Sequence, residues 1–127
     1  MKTSEANKLL KEWQKRLSMQ DWRIKMNIDC EPDDMYVEDS SGSVSWQEST
    51  KTACINILDP KFYGQRVVPY DFEQTLVHEL LHLKFCMMYK KDGSLRERLV
   101  HVLIDDISRA LVDAKRTKWP EVEPVCK

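Results

Sequence analysis

A chain of 127 residues with 42% hydrophobic side chains has the size of one domain with a compact core. Its 20 basic and 21 acidic residues leave a formal charge of -1, which excludes a global basic field that would draw it to nucleic acid or membrane phosphates. Lys2, Glu5, Lys8, Lys11 and Glu12 interrupt the apolar residues before Leu17, so no secretory leader is expected there. No stretch approaches membrane-spanning length, and a cytoplasmic protein without a membrane partner is the expectation.

Residues 3–18 place Ala6, Leu9, Leu10, Trp13 and Leu17 at helical spacing, with Thr3 or Ser4 as candidate N-cap. From Asp21 to Asp29 the pattern alternates, as in a half-buried strand. Glu31 to Ser41 is a loop rich in acids and serine. Gly42 to Glu48 and Ala53 to Leu58 alternate again, joined by a tight turn at Ser49 to Lys51. Lys61 to Tyr70 has no period and reads as a loop. Asp71 then caps a helix from Phe72 to about Tyr89, with Gln74 completing a capping box. Asp92-Gly93 breaks the pattern, and Ser94 caps a last helix to about Lys115. The sum is an α+β domain over residues 1–118, made of a helix, a three-stranded antiparallel meander and two helices. An extended tail with Pro120 and Pro124 covers 119–127. Cys30, Cys54, Cys86 and Cys126 are widely spaced, form no C-x-x-C pair and are expected to be reduced thiols.

Inside the helix opening at Phe72 stands His78-Glu79-Leu80-Leu81-His82. Two histidines four residues apart project from one helix face a turn apart, so both imidazoles can reach one ion. Zinc accepts such nitrogens at roughly 2.0–2.1 Å, and a catalytic site adds a third protein ligand and a water. Glu79 is placed to take a proton from that water as general base. Leu76, Val77, Leu80, Leu81 and Leu83 surround a polar stripe of Thr75, His78, Glu79 and His82. Polar groups among that much apolar surface need partners, and a metal ion supplies them.

The third ligand has to come from elsewhere, and the last helix offers Glu97, His101 and Asp105 on one face. Counting about 1.5 Å per residue from the turn at 90–93, His101 lies level with His82, whereas Glu97 sits nearer the turn. The heights favour His101 over Glu97, whose carboxylate a Ser94-x-x-Glu97 capping box would occupy. Asp105, one turn on, could accept the second ring N–H of His78 or His101, or be a solvated acid beside Asp106.

At these residues the chain resembles the zincin metallopeptidases, and more narrowly the small single-domain minigluzincin-like and SprT-like proteins. The similarity runs over most of the chain, with TLVHELLHLKF as its specific part. It implies a zinc-dependent peptidase acting on a peptide or protein substrate. His78, His82 and His101 would be the ligands, Glu79 the base, and an edge strand, either Ser43 to Glu48 or Ala53 to Leu58, would align the peptide. Gluzincin-like relatives carry glutamate as third ligand, with an aspartate four residues later. His101-x-x-x-Asp105 has histidine there, which is the habit of SprT-like and metzincin families. Leu83 to Phe85 lack the metzincin extension. Such folds often add a side chain that stabilises the oxyanion, for which Tyr63 and Tyr70 are candidates, although packing suits both.

Two other functions fit the same residues. One is a zincin-like scaffold that keeps zinc for stability and acts through protein contacts without hydrolysis. The other is action near nucleic acid through Lys84, Lys90, Lys91, Arg96 and Arg98, which is possible but not favoured, since such clusters are usually solvated helix ends. The tail raises the further idea that Glu121, Glu123 or Cys126 covers the open metal position.

Overall fold

The structure, a computed structural model, describes residues 1–36 and 40–117. The helical spacing of Ala6, Leu10 and Trp13 becomes helix α1, Thr3–Arg16, which buries all three. Thr3 and Ser4 lie within its first turn rather than capping it, and the N-cap is Lys2 without a side-chain bond. The helix ends where Ser18 adopts a left-handed conformation (φ 56°) and Met19 donates its N–H back to the Gln14 carbonyl at 2.7 Å. Strands β1, Arg23–Cys30, β2, Gly42–Gln47, and β3, Thr52–Leu58, follow. Helices α2, Phe72–Lys84, and α3, Leu95–Arg116, complete the chain, and short 3-10 turns sit at Pro32–Asp34 and Pro60–Phe62. The tail 119–127, with the thought that it covers the metal position, lies outside the described residues.

The three strands do not form an antiparallel meander. Their order is β1-β3-β2: β2 and β3 are an antiparallel hairpin, while β1 pairs parallel with β3, placing Met26 beside Ile55 and Asn27 beside Asn56. Alternation tells which face a side chain takes but not which strand is its neighbour. β1 and β2 stand on either side of β3, about 10 Å apart across two strand spacings. Hydrogen bonds tie the described residues that follow β1 and precede β2 to β3 and its end. Asn56 donates its side-chain amide to the Asp34 carbonyl at 3.0 Å, Leu58 N–H reaches the Ser41 carbonyl at 2.9 Å, and Asp59 N–H reaches the Cys30 carbonyl at 2.9 Å. The segment Ala53 to Leu58 is therefore central, and the edge strands are β1 and β2.

Helix α2 contacts α1, the sheet and α3. Its all-round burial of Phe72, Leu76, Val77, Leu80, Leu81 and Leu83 explains why apolar residues occur on every side of it. Ile55 and Ile57 meet it from β3, Leu10 and Trp13 from α1, and Ile104 and Val112 from α3. Cys30, Cys54 and Cys86 are all free thiols.

Helix α2 ends one turn before the expected Tyr89. Phe85 caps it, and Met88 N–H closes a turn on the Phe85 carbonyl at 2.9 Å. Phe85 and Cys86 continue the apolar pattern of the helix, so the sequence hides this stop.

Candidate metal centre

Helices α2 and α3 run antiparallel, and their facing turns bring His78, His82 and His101 together. One ligand atom from each lies within 4.8 Å of the others, and the ring centroids stand 4.9, 5.0 and 5.5 Å apart. His78 Nε2 and His82 Nε2 are 3.2 Å apart. Two nitrogens at roughly 2.0–2.1 Å from one tetrahedral ion stand about 3.3 Å apart, so this spacing suits a shared ion. The three-histidine cluster can hold a metal ion. Glu97 is not part of it: its N–H donates to Ser94 Oγ at 3.2 Å and its carboxylate accepts from Gly93 N–H at 3.4 Å, so the residue serves the start of α3.

The remaining ring nitrogens are held from behind. Asp105 Oδ1 stands 3.4 Å from His78 Nδ1, and its other oxygen accepts from Arg109. A carboxylate there keeps the proton of His78 on Nδ1 and turns the Nε2 lone pair toward the centre. Tyr89 Oη lies 2.7 Å from His82 Nδ1. It gets there because α2 stops at Lys84: in a continued helix, seven residues would carry Tyr89 about 10 Å along the axis from His82. A hydroxyl can donate or accept. Without an ion, His82 can donate from Nε2 to His78 while Tyr89 donates to Nδ1. With one, His82 can hold its proton on Nδ1 and donate it to Tyr89. This explains how the cluster leaves no buried side-chain polar atom without a partner among the described residues.

Burial drives the electrostatics. It pushes the His82 pKa down to about 3, aided by His78, His101 and Lys91, and lowers that of His78 with His101 adding to the effect and Asp105 opposing it. Both rings are thus neutral, the form a metal requires. Burial also raises Glu79 to about 8, with Lys91 pulling the other way, and Tyr89 to about 12, so the latter stays a phenol.

Glu79 and the three histidines line one cleft of about 740 Å³. Its opposite wall is the start of edge strand β2, Gly42 to Val44. Gly42 is needed for space: a Cβ there would come within 2.6 Å of Thr75 Cγ2 and 3.2 Å of Glu79 Cγ. Lys91, its ammonium 4.4 Å above the Trp46 ring, together with Arg66 and Arg98, gives the cleft a cationic rim. Asp71, also in the lining, is tied to Arg116. Tyr63 reaches the cleft, but its hydroxyl donates to the Val68 carbonyl at 2.5 Å. The Tyr70 hydroxyl donates to the Leu58 carbonyl at 2.9 Å and is spent on the fold. Of the basic cluster, Lys84 is engaged with the Leu17 carbonyl at 2.8 Å.

Tyr89, Gly42 and Lys91 as parts of the site escaped the sequence reading. Tyr89 was hidden inside an apparent helix, and nothing in the sequence shows that Gly42 crosses α2. Comparisons with protein-family models, with curated proteins and with solved structures give no match. No helix among the described residues is long and apolar enough to cross a membrane.

Proposed function

We propose that the protein is a small zincin-like, zinc-dependent metallopeptidase. The observation that carries this reading is a buried carboxylic acid, Glu79, lining the same cleft as three convergent imidazoles. A site serving stability alone has no use for a base there, and structural zinc usually takes four protein ligands. His78, His82 and His101 hold the ion, and the neutral nitrogen donor set suits zinc. Bound there, zinc supplies a Lewis acid that polarises a carbonyl and acidifies a water.

The chain's own residues do the rest. With a dication beside it to favour its ionised form, Glu79 would accept the water proton on a carboxylate oxygen and could pass it to the leaving amine. Asp105 and Tyr89 keep two ligand rings in register. Edge strand β2, with no strand paired on the side away from β3 among the described residues, offers its backbone to an extended peptide beside the ion.

The test compares wild type with Glu79→Gln for zinc content and for hydrolysis of an unstructured protein mixture. Retained zinc with hydrolysis lost by at least about a hundredfold is the expected outcome. Zinc bound by both proteins, with no difference in hydrolysis, would leave a metal-stabilised binding module and end the peptidase reading.

A further inference from the structure

The solvent side of α3 is apolar where an isolated helix would carry charge. Leu95, Leu99, Val102 and Leu103 are 54–63% exposed. Their three- and four-residue spacing joins them into one stripe, on the side opposite the buried Ile104 and Ser108. Helix α3 therefore has two apolar faces, and this fold uses one of them. The charges around the stripe are sorted along the axis. Arg96 and Arg98 flank its first half, while Asp106, its side chain 64% exposed, stands past its end.

We infer that this stripe docks a second copy of the same chain, the two α3 helices meeting antiparallel about a two-fold axis level with position 101. Residues equally far from that level then face each other. Leu99 lies beside Leu103 of the second copy, and Arg96 level with Asp106. The sorting of charge selects this occupant: in the antiparallel pair each cationic half meets an acidic one and the helix dipoles oppose, whereas a parallel pair would set Arg96 against Arg96. A partner of uniform charge would be repelled by one half of the stripe. Asp106 also pairs with Arg109 at 3.3 Å, so its second oxygen is the one that reaches across. The stripe is short, so association is reversible, with a dissociation constant on the order of tens of micromolar. Arg98 and Val102 also line the cleft, so the second copy abuts its α3 wall and leaves the β2 wall open.

Sedimentation velocity of the full chain, from about 5 to about 500 µM, measures this equilibrium. A concentration-dependent dimer is expected, and Leu103→Glu should abolish it without altering the circular dichroism spectrum or the melting temperature by more than a few degrees. Arg96→Glu or Asp106→Arg alone should weaken association about tenfold, and the two together should restore it to within about threefold. A chain monomeric throughout, a dimer indifferent to Leu103→Glu, or a double variant no better than the singles overturns the inference.

Discussion

At one end of the α2–α3 pair, Asp71 and Glu73 meet Lys115 and Arg116; toward the middle, His78 and His82 meet His101. The first group is complete in itself. Arg116 donates to Asp71 at 2.6 and 2.9 Å and to Glu73 at 3.2 Å, Lys115 bonds Glu73 and pairs with Glu12 at 2.8 Å, and the Trp13 indole donates to Glu73 at 2.7 Å. Opposite charges meet, and every group finds its complement. The second group sets like against like, three nitrogen bases around one point. Polar clusters that close on themselves hold a fold together; one whose lone pairs converge can bind something from outside.

The largest expected effect breaks the first end. Glu73→Ala removes the shared acceptor of Trp13, Lys115 and Arg116, and should cost about 3 kcal/mol in urea unfolding while leaving metal stoichiometry unchanged. Loss of metal together with stability would show that the two ends are not independent.

A second contrast lies in pH. At the clamp, the hydrogen bond from Arg116 lowers the Asp71 pKa, and that from Lys115 lowers Glu12. Burial alone would raise Glu73, but Lys115 and Trp13 outweigh it. These carboxylates stabilise the fold above their unfolded pKa, and that stability is lost as pH falls. At the histidine cluster His82 and His78 act in the same direction below 6.5, whereas Glu79, held protonated up to about 8, destabilises the fold as pH rises from 4.5. The histidines oppose Glu79 between 4.5 and 6.5, and above 6.5 Glu79 acts alone. The metal-free chain should therefore lose roughly 2 kcal/mol between pH 6.5 and 8, and Glu79→Gln should flatten that slope. An unchanged slope in the variant would remove Glu79 as its cause.

The smallest effect sharpens the geometry. Tyr89→Phe keeps the ring but deletes the partner of His82 Nδ1. Zinc affinity measured by competition with a chelator should fall about tenfold, with the fold intact. Affinity equal to wild type would mean that His82 is oriented by packing alone.

His78, Glu79 and His82 could be read from spacing within one helix, and His101 from rise per residue along the next, because both arguments use geometry that a helix imposes on its own sequence. The same periodicity put Asp105 on the face of His101 but left open whether it would meet a ring N–H or solvent. Strand pairing did not: Asp21 to Asp29 alternates in the same way whether its neighbour is β2 or β3. Tyr89 was illegible for a related reason, since the chain reverses after Lys84 through Phe85 and Cys86, whose apolarity continues the helix pattern.

The strand order also governs how the chain assembles. β3 is the last strand in sequence yet the middle one in the sheet, so during synthesis β1 has nothing to pair with until residues 52–58 have emerged. The β2–β3 hairpin, local in sequence, forms readily, whereas the β1–β3 pairing must close a longer loop and is the slower step. All three histidines emerge later still, on a pair of sequence-adjacent helices. The three-histidine cluster therefore completes the fold rather than nucleating it.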